Sequence, residues 1–193
     1  MTEKIQYDLI LKNGTVVLPK ETTSIDIGIK GEKIHTIGNL SECSTECCAD
    51  NVINCEGLHI LPGVIDSQVH FREPGLENKE NLESGMLAAA AGGVAAVFEM
   101  PNTNPLTITP ETIEDKLKRA SRVPWTDYAF YLGGTGRTGP NLDKWETGPG
   151  ICGIKIFMGA STGELMTASD EEVESVLSHG KRVVAVHAED QYI

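Results

Sequence analysis

Residues 58–75 read LHILPGVIDSQVHFREPG, and the reading of this stretch decides the fold. It opens as an apolar run over 58–65, interrupted by His59 and a Pro62-Gly63 pair. It closes in a cluster of polar side chains: Asp66, Gln68, His70, Arg72 and Glu73. Val64-Ile65 and Val69-Phe71 suit a buried strand, because β-branched and aromatic side chains pack well on a pleated surface. Gln68 and His70 stand two apart, so a strand puts both on one face. Arg72 continues that alternation as far as the strand persists, and Pro74-Gly75 ends it. A buried strand that carries polar groups to its C-terminal tip is the arrangement in which parallel α/β folds keep their chemistry.

Downstream, strands and helices alternate. Residues 78–91 predict a helix with Ala and Leu on its buried side, ended by Gly92-Gly93. VAAVFEM (94–100) is a buried strand, followed by the rigid loop Pro101-Asn102-Thr103-Asn104-Pro105. Thr109 caps a helix that begins at Pro110 and runs to about Arg119. Residues 128–132 form a strand, and the Gly-rich segment 133–139 lacks the Lys-Ser/Thr ending of a phosphate loop, so it reads as a flexible turn. ICGIKIFM (151–158) is a fourth strand. Ser169 and Glu172 form a capping box for a helix reaching about His179, and RVVAVH (182–187) is a fifth strand. Five strands separated by helical segments imply a parallel sheet with right-handed crossovers. The count falls short of the eight units and roughly 250 residues of a complete (β/α)8 barrel.

Upstream, the rhythm is that of short strands and tight turns. Residues 8–11 and 15–18 flank Asn13-Gly14, a strong hairpin signal. SIDIGIK (24–30) alternates, with Ile25, Ile27 and Ile29 on one face, and Gly31-Glu32-Lys33 turns the chain into 34–37. This predicts a small antiparallel β-unit. A polar loop over 39–50 and one more strand over 52–60 complete it, which divides the chain into 1–60 and 61–193.

Composition narrows the partners. The chain has 193 residues, 40% hydrophobic and 23% charged, enough apolar material for a core and too much for a disordered segment. A net charge of −12 argues against nucleic acid or an anionic membrane as partner. A local arginine can still bind an anionic small molecule. No segment has the length of a membrane helix, and the N-terminus MTEKIQYDLI has no signal-peptide pattern, so the expected location is cytoplasmic. Cys43, Cys47, Cys48, Cys55 and Cys152 are odd in number and lack paired C-x2-C spacing, which favours reduced thiols over a disulfide framework or a zinc knuckle.

The strand tips carry the candidate chemistry. His70 reads as a ligand or as a satisfied core histidine, and its place beside Arg72 favours the ligand. Lys155 lies inside the apolar IKIFM, where lysine is rarely buried unpaired. Either its stem snorkels outward, or burial lowers the pKa of its amine. An amine of the second kind reacts with carbon dioxide to give a carbamate, an anionic group able to bridge two cations. His187 ends VVAVH and precedes Ala188-Glu189-Asp190. It is a tip group or a core histidine bonded to a carbonyl. Glu99 faces either side of its strand and receives no role, while 170–172 (DEE) suits a helix N-terminus.

In order along the chain, LPGVIDSQVHFREPG, EMPNTNP, GIKIFMGASTGEL and VAVHAED resemble the amidohydrolase superfamily and, within it, the dihydroorotases. The pairing of HFREPG with MPNTNP is the specific part. The resemblance implies the N-terminal part of a (β/α)8 barrel, preceded by a segment of a small β-sandwich. It also implies a cyclic amide hydrolase that uses one or two Zn2+ ions, with dihydroorotate and N-carbamoyl-aspartate as its small-molecule substrates. His70 then matches the second histidine of an H-x-H metal pair. Lys155 matches a carbamylated lysine bridging two metals, and His187 a ligand of the second metal. Arg72 matches the group that holds the substrate carboxylate, and Asn102 a second contact to it.

Two departures qualify this. Gln68 stands where the family has the first histidine, and an amide oxygen is a weaker zinc ligand than imidazole. The chain also ends before the family's next metal histidine and its late catalytic aspartate, so no catalytic acid or base is assigned. The alternatives are a non-catalytic scaffold partner of aspartate transcarbamoylase, favoured by Gln68, and an allantoinase or hydantoinase. A homodimer and a transcarbamoylase complex are the assemblies the resemblance implies.

Overall fold

The structure is a computed structural model and describes residues 5–40, 49–159 and 163–190. It divides into two compact units, Met1–Pro62 and Gly63–Ile193.

The first unit contains β1 (Tyr7–Lys12), β2 (Thr15–Val17), β3 (Thr22–Ser24), β4 (Asp26–Lys30), β5 (Lys33–Gly38), β6 (Ala49–Asn54) and β7 (His59–Ile60). They form two sheets, ordered β5-β4-β1-β6 and β3-β2-β7. The β4–β5 hairpin follows from sequence. Gly31 and Glu32 both have positive φ (56° and 63°) between the paired Lys30 and Lys33, the two-residue turn whose twist matches that of the strands.

Four expectations fail here. Asn13-Gly14 is not a hairpin, since β1 and β2 lie in different sheets. Asn13 instead hands the chain from one sheet to the other. Its N–H donates to Asp26 Oδ1 at 3.0 Å and its Nδ2 to Asn54 Oδ1 at 2.9 Å. The 24–30 strand breaks at Ile25, because buried Asp26 turns inward to accept the N–H groups of Asn13 and Leu40. The 52–60 strand is cut by a turn in which Leu58 N–H bonds the Cys55 carbonyl, and its halves join different sheets. Both sheets are mixed rather than antiparallel, since β1–β6 and β2–β7 run parallel. Cys43, Cys47 and Cys48 lie outside the described residues; Cys55 is buried and reduced.

The second unit contains β8 (Val64–Val69), α1 (Leu82–Ala91), β9 (Val94–Glu99), α2 (Pro110–Ala120), β10 (Asp127–Gly133), α3 (Leu142–Trp145), β11 (Ile151–Phe157), α4 (Asp170–Leu177) and β12 (Val184–His187). Its five strands run parallel in the order β12-β11-β10-β9-β8. Helices connect them, and Leu82, Val97, Ile113, Phe130, Ile156 and Val176 form the core. The caps of α2 and α4 form as the sequence predicts, with Thr109 and Ser169 each in a reciprocal capping box.

Three details differ. The helix expected from residue 78 starts at Leu82, because Asn81 accepts the Ser84 N–H and fixes the N-cap there. The 133–139 segment is not a flexible turn. Thr135 and Thr138 are buried and bonded to each other, and the N–H groups of Gly133 and Gly134 donate to the Thr107 and Lys155 carbonyls. β8 is not buried either. It is an edge strand, with Val64 and Ile65 56% and 61% exposed.

Candidate active site

β8 brings its polar groups to the tip by a route that simple alternation misses. Asp66 pairs with Val97 and Val69 with Glu99, so β8 spends one more residue than β9 over this span and bulges. Gln68 lies in the bulge, exposed, with its N–H held by the Asp66 carboxylate at 3.0 Å. The strand ends at Val69, and Arg72 is set by a left-handed turn (φ 68°) rather than by a continued strand. The turn docks on the 101–105 loop. Asn104 N–H donates to the Pro74 carbonyl at 2.8 Å, and a side chain on Gly75 would collide with the Asn104 carbonyl.

His70 is half-buried, and its Nδ1 lies 2.7 Å from Asn102 Oδ1. With the amide oxygen accepting from Nδ1–H, the Nε2 lone pair stays available to a metal. Burial holds the imidazole below its ordinary pKa of 6.5. The Asn102 bond opposes this, while the charges of Arg72, Lys155 and Lys116 add to it. His70 therefore favours the neutral form that a ligand needs.

Lys155 is buried, at 3% exposure, and its Nζ lies 4.7 Å from the centre of the Phe157 ring. The outward-snorkelling reading is excluded. Burial lowers the pKa of the amine, and among the described residues no carboxylate pairs with it. His187 pairs in register with Phe157 and stacks on the same ring, with centroids 5.9 Å apart. Its Nε2 contacts Glu189 Oε2 at 3.1 Å. Phe157 thus contacts both Lys155 and His187. Its place two residues after Lys155 puts both on one face of β11, a spacing already present in the sequence.

Glu99, left open by the sequence, shares the face of Val97 that packs toward the helices. There it pairs with Lys116 of α2, and both side chains are buried, at 1% and 0% exposure. Among the described residues no three His, Cys, Asp or Glu side chains converge as a ready metal cage. The donors consistent with a metal are His70 Nε2, an uncompensated buried amine open to carbamylation, and His187. Gln68, in its exposed bulge, is the least constrained of the four.

The whole second unit is an α/β fold whose candidate groups gather at the C-terminal ends of parallel strands. The chain is similar to L-hydantoinase (dihydropyrimidinase) from Arthrobacter aurescens with a TM-score of 0.84 at 31% identity, covering 97% of this chain and 42% of that one. Residues 57–135 match the dihydro-orotase-like family model. A dihydroorotase of Methanosarcina acetivorans is 38% identical over 187 residues, 95% of this chain and 39% of that protein. An allantoinase of Salmonella newport is 41% identical over 158 residues, 80% of this chain and 33% of that protein. Residues 57–135 are thus similar to a dihydro-orotase-like domain, and the chain is similar along most of its length to a dihydroorotase, an allantoinase and a hydantoinase. It spans about a third to two-fifths of the length of these relatives.

Proposed function

We propose that this chain is the N-terminal part of a dihydroorotase-type cyclic amidohydrolase, its five parallel strands the first units of a (β/α)8 barrel. The reaction is the reversible closure of N-carbamoyl-L-aspartate to L-dihydroorotate with loss of water. The observation that carries this reading is Lys155, an amine buried in an apolar strand with no carboxylate partner among the described residues, near a histidine whose pKa burial lowers. His70, carbamylated Lys155 and His187 would hold Zn2+, with Gln68 a weak additional ligand. A bound zinc would supply an activated water and polarise the ring carbonyl. Asn102 fixes the His70 ring, and Arg72 presents a fork of N–H donors that fits a carboxylate bidentately. The bond to His70 uses Asn102 Oδ1, which leaves the Nδ2 donor for the expected second contact to the substrate carboxylate. The expected location is the cytoplasm; among the described residues no helix is long and apolar enough to cross a membrane.

The test is zinc content together with binding and hydrolysis of dihydroorotate by the purified chain. Bound zinc and dihydroorotate binding are expected, and a chain that takes up no zinc would contradict the metal-site reading. Absence of both zinc and ligand binding, with co-elution of aspartate transcarbamoylase, would favour the scaffold reading. The allantoinase match supports a rival substrate. Allantoin and hydantoin lack the carboxylate that Arg72 would hold, so a preference for either over dihydroorotate would overturn the assignment of Arg72.

A further inference from the structure

We propose that Glu99 and Lys116 are positioning residues, a buried ion pair behind the sheet that holds the Arg72 turn in the form the site needs. This rests on the reading of Arg72 as the carboxylate anchor. Lys116 reaches from α2 to Glu99, approaches the Met100 carbonyl at 3.4 Å and lies 4.6 Å from the centre of the Phe130 ring. Met100 N–H in turn bonds the Val69 carbonyl at 3.0 Å, tying the tips of β8 and β9 together. Glu99 stands in register with Val69, the last residue of β8, so the pair lies beside the strand end from which the Arg72 turn departs.

The next residue is tethered from the same side. Glu73 accepts the Leu82 N–H at the start of α1 at 2.9 Å and pairs with Arg119 at 3.4 Å. Lys116 and Arg119 are three apart on α2 and so share a face. One α2 face therefore supplies cations to Glu99, beside the end of β8, and to Glu73, next to Arg72. A fully buried ion pair is seldom the most stable filling for such a position, since a well-packed apolar pair often does as well. Its placement beside the strand end that leads into a left-handed arginine is explained by the turn it holds.

The experiment uses the uniformly 15N-labelled chain. Glu99→Gln and the double variant Glu99→Gln/Lys116→Met are compared with the parent by thermal unfolding, amide exchange and dihydroorotate titration. The double variant removes both charges at similar volume, so it should stay folded. Arg72 amide exchange is expected to rise at least about 10-fold in both variants, while the amides of β9 and α2 stay protected. Dihydroorotate affinity should fall by about the same factor. Unchanged Arg72 exchange overturns the proposal. So does a rise shared by β8, β9 and α2, or loss of folding in both variants, because a merely structural pair gives those results. If the parent chain does not bind dihydroorotate, the anchor reading falls, and the exchange data still decide whether the pair holds the turn.

Discussion

Arg72 holds a backbone conformation that costs a non-glycine residue on the order of 1 kcal/mol. If the side chain earns its place by binding a carboxylate, affinity and stability should separate on substitution. Arg72→Gly accepts the left-handed turn and is expected to leave unfolding free energy within about 1 kcal/mol of the parent, by urea titration. The same change should weaken dihydroorotate binding by on the order of 2–5 kcal/mol, by calorimetry. His70 makes a pH prediction. Its folded pKa lies below its ordinary 6.5, so the unfolded chain takes up the proton first as pH falls. Stability should be unaffected by this group well above 6.5 and decline as pH drops from there toward the lower folded value. His70→Gln should flatten that part of the curve of urea midpoint against pH. Burial raises Cys152 from 9.0 to about 11, so near neutral pH its thiolate is scarcer than an ordinary cysteine's by about 100-fold. Peptide mapping after brief iodoacetamide treatment should find Cys152 protected in the fold and reactive in urea. Much of this scale was legible in sequence. His70, Arg72, Asn102, Lys155 and His187 stand out as polar groups at strand ends. The His70–Asn102 bond and the Glu99–Lys116 pair were not, because they join residues far apart in sequence through side chains that have no local periodicity.

Elements are placed by ties that sequence patterns only partly reveal. The N-cap at Thr109 and the capping box at Ser169 are local, so a few residues of sequence sufficed to predict them, while the reciprocal Thr112 contact at Thr109 carried no such signal. The bulge in β8 and the crossing at Asn13-Gly14 depend on partners in other strands, and local alternation misassigns both. β12 is fastened from outside as well. Glu146, buried at the end of α3, accepts the N–H groups of Lys181 and Arg182 at 2.6 and 2.9 Å, on the segment leading into β12. Gly180 has φ 90° and lies so close that a side chain there would strike the Glu146 carboxylate. Glu146→Gln would turn an amide NH2 toward one of two main-chain donors. It should cost about 1.5–3 kcal/mol in unfolding free energy. Hydrogen exchange should quicken first in Val184–His187, which carries one of the proposed metal ligands. A uniform change across the sheet would show that the clasp acts on the whole fold rather than on β12.

At the scale of the molecule, the five-stranded sheet has two unpaired edges among the described residues, β8 and β12. Both carry exposed apolar side chains, Val64 and Ile65 on one and Val186 on the other, with Val183, 72% exposed, just before β12. Unpaired parallel edges with apolar flanks are templates for pairing with another chain. Against this stands a net charge of −12, which repels a second copy of the same chain. The two effects respond oppositely to salt. The Debye length falls from about 30 Å at 0.01 M to about 10 Å at 0.1 M, so added salt removes the repulsion and leaves apolar burial intact. The isolated chain should therefore be monomeric at low ionic strength and associate as salt rises, as read by light scattering over a concentration series. Ile65→Lys and Val186→Lys, at opposite edges, should each reduce the association. If the edges were already satisfied within one chain, neither substitution would change the salt response.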